Sequence, residues 1–288
     1  MKKLFYNALN FTLFGNIFIA LCALAQALLT YTLLGLPPSF TLCAFLFLAT
    51  LCMYNCSLLF YKPFGFKTSE HKRIRWFFAH QQLNILITLT AGLALIPLFF
   101  TLTLVLQVVI FFLAIVSLAY LLPVFKTQKQ SFSLRNIAGL KLFLIATVWA
   151  ISVVLLPVLQ SQTSIPHREI IILWIQQFVL YVAIALQFDV RDMYHDQAQQ
   201  LKTLPTIYGA KKANLASIIL LLISVFIVVI LNDKGLGNYF FATLLSILLL
   251  AGLILKPTLK NNSYYYFLLL DGILVIQYMV LLLFNWLI

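Results

Sequence analysis

Three of the chain's seven acidic residues, Asp189, Asp192 and Asp196, fall within eight consecutive positions. Their i, i+3, i+7 spacing puts all three carboxylates on one stripe if a helix runs through them. Like charges crowded on a stripe repel, a poor arrangement unless a cation offsets it. Grouped hard oxygen ligands suit Mg²⁺, which is held by one or two carboxylates with substrate phosphates completing its shell. A diphosphate bridged by that ion is the ligand such a stripe would take. Alternatively, the segment is a solvated stretch in which Arg191, His195 and Lys202 neutralise the acids locally. Spacing leaves both open, because clustered acids mark function only probabilistically.

The elements that carry the stripe must live in lipid. Of the 288 residues, 63% are hydrophobic and 9% charged, and the mean hydropathy is +1.04. A soluble domain of that composition would expose most of its apolar surface. Runs of about 20 apolar residues predict helices over 11–34, 40–61, 80–100, 102–122, 138–158, 170–188, 213–231, 238–255 and 264–286. The expected fold is an all-α integral membrane bundle of about nine transmembrane helices, forming one domain over 1–288. Met1-Lys2-Lys3, the apolar run after it and Ala23-Leu24-Ala25-Gln26-Ala27 look like a secretory leader. The run is long enough to span a bilayer and many similar runs follow, so it is read as a first transmembrane helix. Between the third and fourth runs only Thr101–Thr103 intervene, after Pro97, which leaves a re-entrant element open there.

Lys and Arg predict the orientation, since cytoplasmic loops retain them. With the N-terminus inside, all 19 except Arg168 and Lys234 fall in cytoplasmic segments. The formal charge of +12 then signals topology and attraction to anionic membrane lipids. No soluble basic domain exists to bind nucleic acid. The loops after the second, fourth and sixth helices are long and polar, so chemistry on polar substrates is expected at the cytoplasmic face, in a membrane of the bacterial cytoplasmic type.

Arg191-Asp192-Met193-Tyr194-His195-Asp196 leads, after six intervening residues, into Thr203-Leu204-Pro205 and then Gly209. This pattern, RDxxxDxxxxxxTLPxxxG, resembles the second aspartate motif of the UbiA-type membrane prenyltransferase superfamily. Tyr120-Leu121-Leu122-Pro123-Val124-Phe125-Lys126 is similar to that family's YxxPxxK element, and Leu134–Lys141 to the KN-x-x-G segment after it. The resemblance covers most of the chain. It implies a UbiA-like bundle and transfer of a prenyl group from an isoprenoid diphosphate to an aromatic or other lipid-soluble acceptor, with Mg²⁺ as cofactor. By the same resemblance, Asp192 and Asp196 would hold Mg²⁺ with Asp189 assisting. Arg191 and Lys202 would orient the carboxylates or contact phosphate, and Lys126 would contact the diphosphate from the facing loop.

The family's first motif, NDxxDxxxD, should close the second helix. Here only Asn55 remains, and Cys56, Leu59 and Pro63 stand where its aspartates belong; none of them is a ligand for Mg²⁺. A single carboxylate cluster could still hold one ion, with Lys62, Lys67, Arg73, Arg75 and Lys126 supplying positive charge to phosphates. A protein that keeps the fold and binds an isoprenoid or quinone-like lipid without reaction is the second possibility. A small transporter is the third, although no pair of broken helices in matching halves supports it.

Among other polar positions, Asp271 is an intramembrane acid that should face the bundle interior or an aqueous cavity. Asn84, Gln176, Gln177 and Gln187 are expected to hydrogen-bond between helices. Cys22, Cys43, Cys52 and Cys56 imply no disulfide framework. Tyr264, Tyr265 and Tyr266 suggest an interfacial belt.

Overall fold

A backbone in lipid must satisfy its own N–H and C=O groups, so apolar runs cross a bilayer as helices or closed barrels. In the computed structural model of the chain they are helices. The structure describes residues 2–60, 71–122, 125–127, 130–132, 139–198, 201–232, 237–256 and 262–287. The helices are α1 (Lys2–Phe14), α2 (Ile17–Leu33), α3 (Phe40–Phe60), α4 (Lys72–Ala79), α5 (Gln81–Phe100), α6 (Leu104–Leu121), α7 (Leu140–Ala150), α8 (Leu156–Ser161), α9 (His167–Ala198), α10 (Leu204–Asn232), α11 (Gly237–Leu255) and α12 (Asp271–Leu287). A π-helical turn, Ile151–Leu155, joins α7 to α8, and a second, Tyr265–Leu270, leads into α12. Strands β1 (Phe125–Thr127) and β2 (Gln130–Phe132) form a short antiparallel ribbon.

Among the described residues, seven helical segments are long and apolar enough to span a membrane. The bent pair α1/α2 makes an eighth, and the shorter apolar helix Tyr239–Leu255 accounts for the remaining predicted run. The chain is thus an integral, multi-pass membrane protein. α5 and α6 are separate helices, not one re-entrant element.

Two predicted boundaries differ instructively. The helix expected over 11–34 begins at Lys2 and bends by 62° between α1 and α2. The bend falls at Gly15-Asn16, where Asn16 is left-handed at φ 65. A Cβ on Gly15 would stand 2.5 Å from the Phe11 carbonyl oxygen, so glycine is required at that approach. The helix expected over 170–188 runs on to Ala198. Its 32 residues measure about 48 Å at 1.5 Å per residue, longer than the roughly 30 Å hydrocarbon core. The acidic stripe lies in the last turns of this long helix, still packed within the bundle at Asp189 and Asp196.

α9 packs along α7 and α10, and α2 against α3 and α12. Fully buried Cys22, Ala146, Ala150 and Ala183 sit in this core, and their small side chains let the helices approach closely. α5, α6 and α10 turn Leu86, Leu93, Phe112, Leu222 and Phe226 outward, as a lipid-facing surface requires. Several polar side chains pair between the helices. Gln176 Nε2 donates to Ser224 Oγ at 2.9 Å, Gln187 Nε2 to Ser217 Oγ at 2.8 Å and Gln26 Nε2 to the Leu274 carbonyl at 2.7 Å. Tyr181 Oη donates to Gln26 Oε1 at 3.1 Å.

The Thr-Leu-Pro element has a structural cause. Thr203 precedes α10, its N–H donating to Thr206 Oγ1 at 2.7 Å, while Pro205 takes an early helical position where no N–H is needed. Gly209 breaks the helix at φ 83, ψ 159, a region open essentially to glycine alone.

Candidate active site

Along the C-terminal half of α9 the bundle encloses a cavity of about 640 Å³, within the range of small-molecule sites. Its polar end is lined by Arg73 from α4, Lys141 from α7, Arg191, Asp192 and His195 from α9 and Asp271 from α12. Deeper, the wall is apolar and aromatic, with Ile19, Tyr54, Trp149, Tyr181 and Ile184. Tyr181 joins this wall to the buried Gln26 network.

Helix geometry sets the charges. Asp189, 2% exposed, accepts from Lys141 Nζ at 2.6 Å across the α7–α9 contact. Asp192 accepts from Arg191 through both oxygens, Nε to Oδ1 at 2.7 Å and Nη2 to Oδ2 at 2.9 Å. The Arg191 guanidinium also lies 4.9 Å from the centroid of Phe188, 5.3 Å from that of Tyr266 and 5.2 Å from that of Phe267, cation–π contacts that hold it in place. Arg73 reaches the same Phe267 ring at 4.6 Å and donates through Nη2 to Asn16 Oδ1. Asn16 Nδ2 in turn donates to Asn55 Oδ1 at 2.7 Å. Burial and the nearby Arg191 guanidinium push Arg73 down to about 10, so it remains cationic at neutral pH.

The predicted site residues therefore divide. Asp192 and Arg191 face the cavity. Asp189 and Asp196 are both 2% exposed and do not line it; α9 turns them into its packing faces. Asn55 is fully buried behind the wall and reaches the cavity only through Asn16. Lys202 is exposed on the connection to α10 and does not line the cavity. Lys126 lies in β1 opposite Ser131, with its side chain outside the described residues, as are Lys62, Pro63 and Lys67. Asp271 lines the cavity, as expected of an intramembrane acid, and Asn16 and Lys141 join the polar end without having been singled out for it. The signal that would have found Asn16 is the Gly15-Asn16 pair, a helix breaker inside an apolar run read as one helix.

The set does not fit Mg²⁺. An ion needs carboxylate oxygens converging with open coordination, yet Asp189 is bridged to Lys141 and Asp192 is chelated by Arg191. Among the described residues, no three His, Cys, Asp or Glu side chains come together as a metal site. On α3, Cys56 stands 4.0 Å from Cys52, so sulfurs occupy the stretch where carboxylates were sought.

No protein-family model and no curated protein matches the sequence. Solved structures do match in shape. A UbiA homolog from Archaeoglobus fulgidus, bound to GPP and Mg²⁺, superposes with a TM-score of 0.65 at 11% identity, over 94% of this chain and 99% of that one. A UbiA homolog from Aeropyrum pernix K1 gives 0.60 at 14% identity, over 94% and 98%. A digeranylgeranylglyceryl phosphate synthase gives 0.56 at 15% identity, over 98% of each chain. The chain has the fold of the UbiA-type prenyltransferases.

Proposed function

We propose that the cavity binds an isoprenoid diphosphate and that the protein moves its prenyl group to a lipid-soluble acceptor, aromatic or other, as a single domain whose polar end faces the cytoplasm. The observation that carries this reading is the amphipathic cavity itself: three basic side chains at the mouth above an aromatic, apolar interior, in a fold whose solved A. fulgidus example binds GPP and Mg²⁺. An anionic head with a hydrocarbon tail matches both ends.

In the reaction the allylic C–O bond breaks and its electron pair leaves on the diphosphate. Negative charge therefore builds at the polar end, where Arg73, Arg191 and Lys141 supply charge-assisted donors preorganised for it. The allylic cation left behind faces Tyr54, Trp149 and Tyr181, whose π faces stabilise positive charge and exclude water. The acceptor attacks that carbon and gives up a proton, which the released diphosphate takes.

Binding without transfer is the second reading, favoured by one observation: the Arg191 fork that occupies both oxygens of Asp192. The two are separated by incubating the purified protein in lipid nanodiscs with radiolabelled geranyl diphosphate and a membrane-lipid extract as acceptor source. Prenyl transfer predicts bound label, labelled lipid and released inorganic diphosphate. Bound label without release selects the second reading, and absence of binding removes both.

A further inference from the structure

In the one place where the first aspartate motif leaves a trace, the structure puts a cation. Asn55, the surviving residue of that motif, accepts from Asn16 at 2.7 Å, and Asn16 accepts from the Arg73 guanidinium. The left-handed Asn16 at the α1/α2 bend thus aims an arginine from α4 into the cavity that α9 lines from the other side.

The other basic groups at the mouth are matched. Lys141 is bridged to Asp189 and Arg191 to Asp192. Among the described residues Arg73 makes no ion pair, and its buried Nε has no hydrogen-bond partner. Its guanidinium shares the Phe267 ring with Arg191, at 4.6 and 5.2 Å. Two guanidinium groups on one ring repel, and a buried donor left unmade costs free energy. Both penalties disappear when an anion sits between them, and a phosphate oxygen pair is the anion that matches a guanidinium fork. Of the acids on α9, Asp189 is spent on Lys141 and Asp192 on Arg191, and the Asp271 carboxylate, which also lines the cavity, makes no ion pair among the described residues and is a single acid on the α12 side.

We infer that Arg73, aimed by Asn16 and Asn55, is the receptor for the ligand's phosphate group, and that this protein takes an isoprenoid diphosphate without a divalent cation. The inference rests on the cavity being an isoprenoid-diphosphate site. It gives α4, a short helix outside every motif in the sequence, the role that paired metal ions play where two facing aspartate clusters are present.

The test is equilibrium binding of radiolabelled geranyl diphosphate to the full chain in nanodiscs, measured in Mg²⁺ and in EDTA. Wild type is expected to bind equally in both, within about threefold. Arg73→Gln should weaken binding by about tenfold or more, the scale of a lost charge-assisted hydrogen bond, with Arg73→Lys recovering part of it and Asn16→Ala falling between. Loss of wild-type binding in EDTA overturns the inference and leaves the proposed function standing, as does Arg73→Gln binding as tightly as wild type. If Arg73→Gln does not fold, the EDTA comparison on wild type and Arg73→Lys still decides. Binding in neither medium overturns the cavity assignment, and the inference falls with it.

Discussion

At the residue scale, the same side-chain chemistry is legible or hidden according to whether its partner is near in sequence. The i, i+3, i+7 stripe is a local fact, and a helix does run through Asp189, Asp192 and Asp196. Their partners are only partly local: Arg191 stands next to Asp192, but Lys141 is 48 positions from Asp189, and the two together take two of the three carboxylates that the spacing had offered to a metal. Arg73 could be named from the sequence as a source of positive charge, but what aims it could not, since that is Asn16, 57 positions away. Gln26→Leu removes the acceptor of Tyr181 and the donor to Leu274 and should destabilise the protein by about 1–2 kcal/mol, the upper range for interhelical hydrogen bonds in lipid, read from reversible unfolding in mixed micelles. Trp149→Ala opens the apolar wall and should lengthen the prenyl chain accepted, measured as a shift in preference from geranyl to longer diphosphates.

At the scale of elements, hydropathy located the spanning runs because lipid enforces one simple rule on backbone groups. It missed the events inside those runs. The break at Gly15-Asn16 and the two π-helical turns change hydropathy little, yet each redirects a side chain or a helix axis. π-helical turns inside α-helices often mark functional positions, and Tyr265–Leu270 immediately precedes Asp271, which lines the cavity. Deleting Leu269, a partly exposed residue of that turn, should restore regular winding, rotate Asp271 relative to the chain before it and reduce geranyl diphosphate binding while the protein stays folded. Gly209→Ala should cost about 1–3 kcal/mol, because φ 83 with ψ 159 lies in a region that a Cβ makes strained; a lower unfolding midpoint would register it.

At the scale of the whole molecule, charge asymmetry predicts a sidedness that follows from no single contact. Lys212, exposed near the start of α10, and Gln162, exposed between α8 and α9, should lie on opposite sides of the membrane. In a background with the four native cysteines replaced, Lys212→Cys should react with an impermeant thiol reagent only from the cytoplasmic side, and Gln162→Cys only from outside. The reverse pattern would invert the molecule and expose the cavity mouth to the exterior.

The measurement that bears most directly on the central claim is photo-crosslinking with an isoprenoid diphosphate carrying a diazirine on its hydrocarbon tail, followed by mapping of the labelled peptides. The cavity assignment predicts labels on its inner wall, at Ile19, Ile145 and Ile184, and their suppression by excess geranyl diphosphate. Labels confined to the outward residues of α5 and α10, such as Leu93, Leu222 and Phe226, and insensitive to competitor, would show only partitioning into lipid and would contradict it.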